Sequence, residues 1–218
     1  MSVTRFSCLR QLKLNNVTWL DLLQIIQQVG HNITLLDLDN FSVDTTPQTW
    51  VDLAVLGHLC PQLQTLAVTM AHCCFTRDGS QKMTRLFANL ENFSLKGVTF
   101  VNSDVLCDVL LQTCGLVNFT FFQKLEKPQV NREPSKEPLN DAKLANIVKK
   151  HILKSLRMFH VTAIDHVFGP VLIGESSVFL LVSSCPELEK IGNLSKWLIE
   201  DMDQTMTKLG SMFSWGRI

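Results

Sequence analysis

The chain has 218 residues, 46% of them apolar and 18% charged, with 20 Lys and Arg balanced by 20 Asp and Glu. That length suffices for one sizeable core, while a charge fraction below the roughly 25% of ordinary globular proteins, with no excess of either sign, provides no electrostatic footprint for nucleic acid or an anionic membrane. The opening residues lack the continuous apolar stretch of a secretory signal, no window reaches the roughly 18 apolar residues of a membrane span, and seven cysteines, never spaced as CxxC, fit a reducing cytoplasmic or nuclear compartment.

Leucine supplies 33 residues, and along the chain it recurs in one pattern, L-x-x-L-x-L-x-x-Φ, where Φ is a further apolar residue. The first copy is Leu9, Leu12, Leu14 and Val17, which predicts a strand. Apolar residues at 19, 22, 23, 26 and 29 then predict a helix over Trp19–Val29, closed by Gly30. The second copy is Ile33, Leu36, Leu38 and Phe41, followed by a helix with Thr46 as N-cap, Pro47 at its first position, and Trp50, Leu53, Ala54 and Leu56 on its apolar face. The third copy is Leu63, Leu66, Val68 and Ala71, with a helical pattern beginning at Ser80. Leu90, Phe93, Leu95 and Val98 form the fourth copy, with a helix after Ser103. Leu116, Phe119 and Phe121 form the fifth, which loses its last apolar position to Lys124.

From Lys124 to Lys143 three prolines and nine charged residues replace the pattern. This stretch reads as an insertion loop: a disordered spacer, a partner-contacting loop, or a regulatory site around Ser135. Asn140 heads the next helix, with Leu144, Ile147 and Val148 on its apolar face. Weaker copies follow at Leu156, Phe159, Val161 and Ile164, and at Leu188 and Ile191, with the short apolar segment Ser176–Cys185 between them and a helical tail over 195–218.

The copies start at positions 9, 33, 63, 90, 116, 156 and 188, spacings that surround the 20–29 residues of leucine-rich repeats, with insertions in the later units. The unit is strand, turn, helix, turn, and neither strand nor helix buries its apolar face alone, so stacked neighbours must supply the core. The expected fold is a single α/β domain over 1–218 with about seven repeats. It is a leucine-rich repeat horseshoe, or solenoid, with a parallel concave sheet and convex helices. Strand periodicity turns the intervening residues onto the concave face. That set contains Gln11, Lys13 and Asn15; Leu35, Asp37 and Asp39; Thr65, Ala67 and Thr69; Asn92, Ser94 and Lys96; Asn118, Thr120 and Phe122; Met158, His160 and Thr162. Mixed in sign, with apolar exposure at Leu35, Phe122 and Met158, such a surface suits a protein or peptide ligand. The expected partner-binding residues are Lys13, Asp37, Asp39, Asn92, Lys96, Asn118, Thr120, Phe122, Met158 and His160.

Three copies are preceded by cysteine: Cys60-Pro61-Gln62-Leu63, Cys114-Gly115-Leu116 and Cys185-Pro186-Glu187-Leu188. Cys-Pro-x-Leu-x-x-Leu resembles the repeats of the ribonuclease-inhibitor-like leucine-rich proteins, above all the substrate receptors that join such a horseshoe to an F-box. The likeness covers roughly residues 6–195. It implies that each cysteine is a small buried side chain at a helix-to-strand turn, and that the chain is a non-enzymatic interaction module recognising substrate for a ubiquitin ligase. An F-box is an additional helical segment before the repeats, and none is visible before Leu9.

His72-Cys73-Cys74 is the one dense cluster of potential metal ligands or nucleophiles. Adjacent cysteines share one tetrahedral zinc only through a sharp turn, and no second pair completes the set. No short nucleotide-binding or hydrolase motif occurs. The expectation is therefore no enzyme, no cofactor and no metal, with an enzyme or metal site at His72/Cys73/Cys74 as one alternative. The other is a secreted or receptor ectodomain fragment, kept open by N-x-[ST] sequons at Asn16, Asn32, Asn40, Asn92, Asn118 and Asn193.

Overall fold

The computed structural model describes residues 8–42, 51–76, 86–100, 104–123, 139–150, 153–163 and 171–212. In chain order the elements are β1 (Gln11–Asn15), α1 (Trp19–Val29), β2 (Leu35–Ser42), β3 (Val51–Asp52), α2 (Leu53–Leu59), β4 (Thr65–Thr76), β5 (Asn92–Phe100), α3 (Val105–Leu110), β6 (Asn118–Gln123), α4 (Asp141–Lys149), β7 (Met158–Ala163), β8 (Val171–Gly174), α5 (Glu175–Ser184), β9 (Lys190–Gly192), β10 (Trp197–Leu198) and α6 (Met202–Met212). The fold is α/β. Seven strands form one parallel sheet in the order β1-β2-β4-β5-β6-β7-β9, with β3 added beside the far end of β4, and β8 and β10 pair separately.

Each of those seven strands carries one copy of the leucine pattern, and the copies lie in register. Leu12 pairs with Leu36, Leu36 with Leu66, Leu66 with Phe93, Phe93 with Phe119, Phe119 with Phe159, and Phe159 with Ile191. Each of the six strands after β1 in that order also enters the sheet through the same contact. The carbonyl oxygens of Arg10, Thr34, Gln64, Glu91, Val117 and Arg157 each accept two successive backbone N–H groups from the start of the next strand, Thr34 and Leu35 in the first case, Glu189 and Lys190 in the last. The structural period is thus the sequence period. A one-residue slip would turn every leucine of a strand to the wrong face, so the apolar pattern itself fixes this register.

The turn before each strand is shared as well. The N–H of the first leucine position donates to the carbonyl three residues back: Ile33 to Gly30, Leu63 to Cys60, Leu90 to Phe87, Leu116 to Thr113, Leu156 to Leu153 and Leu188 to Cys185. Cys60 and Cys185 occupy this place and are buried, with thiols pushed up to about 12 and about 11 by burial. Cys114 is exposed, contrary to expectation. Cys-Gly-Leu is one residue shorter than Cys-Pro-x-Leu, so Thr113 takes the buried place, its hydroxyl donating to Leu110 O at 3.0 Å.

Helix starts follow local chemistry. Thr18 caps α1 in a reciprocal box with Asp21, and Asn140 caps α4 by accepting from Lys143 N at 2.9 Å. The second helix differs from the sequence expectation: Thr46 and Pro47 lie outside the described residues, Val51 and Asp52 are extended, and the helix begins at Leu53, where the Asp52 carboxylate accepts from Ala54 N at 2.7 Å. Residues 124–138 of the expected insertion are likewise outside the description. Its last residues belong to the packed structure, since Leu139 is fully buried and α4 begins at Asp141.

The core is one continuous cluster. Leu36, Leu66, Phe93, Leu95, Phe119, Phe121, Phe159 and Val161 are all at most 1% exposed. Phe119 is its aromatic centre, with ring centroids 5.9 Å from Phe93 and 5.4 Å from Phe159. Beyond β9 the chain returns over the core. Trp197 is buried edge-on to Phe159 at 6.0 Å, and its indole N–H donates to Val161 O at 2.8 Å. Polar links join successive helices: Lys143 to Asp104 at 3.0 Å, the Asp141 carboxylate to Gly174 N and the Ser177 hydroxyl, and Lys208 to Glu175 at 3.0 Å.

Candidate interaction surface

Alternate residues of the seven strands point away from this core, and the register arranges them in rows. One row contains Gln11, Leu35, Thr65, Asn92, Asn118, Met158 and Lys190. The next contains Lys13, Asp37, Ala67, Ser94, Thr120, His160 and Gly192. With strands about 4.8 Å apart, Asn92, Lys96, Asn118, Thr120, Phe122, Met158 and His160 come together on β5, β6 and β7. Lys13, Asp37 and Asp39 stand at the opposite end, on β1 and β2.

The two ends differ in chemistry. At the β1 end Lys13 Nζ lies 3.6 Å from an Asp37 carboxylate oxygen, an exposed pair of small energetic weight. The middle is neutral and hydrogen-bonded. The Asn118 amide donates to Asn92 Oδ1 at 2.7 Å, and the Asn92 amide to Thr65 Oγ1 at 3.3 Å. Toward β9 the surface turns aromatic and cationic. Lys96 Nζ stands 5.5 Å from the Phe122 ring centroid, and on the adjacent strand the His160 ring lies 5.2 Å from Phe122. Phe122 and Met158, expected as exposed apolar groups, are half-buried, Phe122 because it packs between these two neighbours.

His160 rests on β9. Its register partner is Gly192, where a Cβ would come within 2.6 Å of the imidazole Cγ. Only glycine leaves room for the ring. The imidazole Nε2 is enclosed and, among the described residues, has no hydrogen-bond partner, and burial, with a smaller contribution from the Lys190 ammonium, holds the group below its usual range. Thr162, expected on the open surface, is buried at 4%, because the strand after β7 is too short to leave it open and Asn193 follows directly, its amide donating to the Thr162 hydroxyl at 2.9 Å.

Sequence reasoning missed Lys190 and Gly192, although the Leu188–Ile191 copy places Lys190 in the same row as Met158. It also treated Asn16 and Asn40 only as sequons. Asn16 directly follows β1, and Asn40 lies within β2 between Leu38 and Phe41, where the register with β4 shifts; both have positive φ, 54° and 47°, which asparagine tolerates, and the Asn40 amide donates to Asn16 Oδ1. Gly97, with φ 67°, fills the matching place within β5, between Lys96 and Val98, where the register with β6 shifts.

His72-Cys73-Cys74 lies within β4, where Cys73 pairs with Val98 and Cys74 with Thr99; the placement of their side chains is outside the described residues. Among the described residues no three His, Cys, Asp or Glu side chains are grouped to hold a metal ion, and no helix is long and apolar enough to cross a membrane. Comparison with known proteins adds no relative: no family model matches the chain, and no curated protein is significantly similar to it.

Proposed function

We propose that the chain is a leucine-rich repeat horseshoe that serves as a non-enzymatic protein-interaction module, with its ligand on the face formed by β5, β6, β7 and β9. Parallel strands on one side and thicker helices on the other favour curvature with the sheet inside. The observation that carries the binding role is the clustering of Lys96, Phe122, Met158, His160 and Lys190 on adjacent strands, opposite a core that does not need them. Large side chains that the fold leaves half-covered are the usual anchors of a protein interface, and polar neighbours such as Asn118 and Thr120 form its rim. The Cys-Pro-x-Leu likeness extends the reading to substrate recognition for an F-box-type ubiquitin ligase in the cytoplasm or nucleus.

Affinity purification from native cells with the wild-type chain and with the double substitution Phe122→Ser/Met158→Ser tests this. The wild type should retain a defined partner set, including ligase subunits if the F-box reading holds. The folded double variant should lose the substrate partners. Retention of the same partners by that variant would move the interface elsewhere.

A further inference from the structure

Resting on that reading, we propose that the segment recognised is an extended stretch of a protein partner in which carboxylate side chains, next to an apolar residue, lie over β5–β9, and a basic residue lies over β2. Charge on this face is left without an ion-pair partner among the described residues. Five charged side chains stand on this face among the described residues: Lys13, Asp37, Asp39, Lys96 and Lys190. Lys13 and Asp37 pair with each other. Among the described residues no ion pair forms at Asp39, Lys96 or Lys190, so a lone anion is left at one end and two cations at the other. Between Asp39 and Lys96 the rows carry only Thr, Ala, Asn and Ser.

The spacing sets the length. From β2 to β5 is two strand intervals and from β2 to β9 is five, or roughly 10 and 24 Å at about 4.8 Å each. At about 3.3 Å per residue an extended chain crosses these distances in roughly three to seven residues. The apolar contact is supplied by Phe122 and Met158, which sit between Lys96 on β5 and Lys190 on β9. A carboxylate beside an apolar side chain therefore finds a cation and a hydrophobic contact together, and the basic residue meets Asp39. A partner of the reversed pattern places like charges against Lys96 and Lys190, which is how such a face rejects wrong sequences.

Selection of a displayed random 12-residue peptide library on the purified full chain tests the proposal, with the wild type compared against Lys96→Glu/Lys190→Glu and against Phe122→Ser/Met158→Ser, each checked for unchanged circular dichroism. Wild-type selections should enrich Asp or Glu next to Leu, Met or Phe, with Lys or Arg a few residues away. A synthetic peptide of that consensus should lose at least roughly tenfold in affinity on Lys96→Glu/Lys190→Glu. Enrichment of basic or uncharged peptides that still depend on Phe122 and Met158 would overturn the charge assignment while leaving the interaction face intact. No enrichment, or enrichment indifferent to both variants, would overturn both. Tighter binding of a labelled uridine oligonucleotide than of any selected peptide, lost in Lys96→Glu/Lys190→Glu, would assign the cations to nucleic acid instead.

Discussion

The two faces of the same seven strands obey opposite rules. On the inner face the rows Leu36–Leu66–Phe93–Phe119–Phe159 and Leu38–Val68–Leu95–Phe121–Val161 are almost wholly buried and exclusively apolar. On the outer face, one residue away along each strand, side chains change from strand to strand in size, charge and hydrogen bonding. Regularity on one side and variety on the other is what a sheet with one covered face permits: each buried side chain must fit its neighbours on the adjacent strands, and the exposed rows are free to differ.

The largest loss is expected from a substitution in the core. Phe119→Ala removes the ring that touches both Phe93 and Phe159 and should destabilise the protein by about 3–5 kcal/mol, read from denaturant midpoints at constant slope. A loss below about 1 kcal/mol would mean that the layers do not support one another. A smaller effect is expected where the C-terminal segment meets the core. Trp197→Phe keeps an aromatic contact with Phe159 but removes the donor to Val161 O, at a cost of about 1 kcal/mol.

Sequence reasoning reached the inner face more fully than anything else, because a strand's period of two makes Leu-x-Leu legible and five good copies align one another. Even the weak copy at Leu188 and Ile191 forms β9. What it could not reach were contacts between distant segments. Nothing local marks Thr162 as covered by Asn193, or Trp197 as a partner of β7. The second helix is a related case: pairing of Val51 and Asp52 with β4 makes those two residues extended, so α2 begins at Leu53 under the Asp52 cap, while Thr46-Pro47 lie outside the described residues. On the outer face the row membership of Lys96, Phe122, Met158 and His160 was readable, whereas their mutual packing was not.

Two further tests sharpen the contrast where the faces meet at His160. Gly192→Ala should displace the imidazole, visible as loss of its ring-current-shifted resonances, and weaken pairing between β7 and β9. The second is pH. An imidazole held below its unfolded value of about 6.5 binds fewer protons in the folded state, so stability rises with pH between the folded and unfolded values. Acidification from about 6.5 through the lower folded value should therefore cost stability, and His160→Gln should flatten that slope. An unchanged slope in the variant would show that His160 titrates as freely as an exposed histidine.

Two adjacent residues test the central claim most directly, since Phe121 points into the core and Phe122 away from it. Phe121→Ser and Phe122→Ser should be compared for melting temperature and for retention of the partner set in one series. Phe121→Ser is expected to unfold the domain or lower its melting point by many degrees, and Phe122→Ser to melt close to the wild type while losing its partners. If Phe122→Ser instead destabilised the fold as much as Phe121→Ser, or melted normally and kept every partner, the division of work between the two faces would be contradicted.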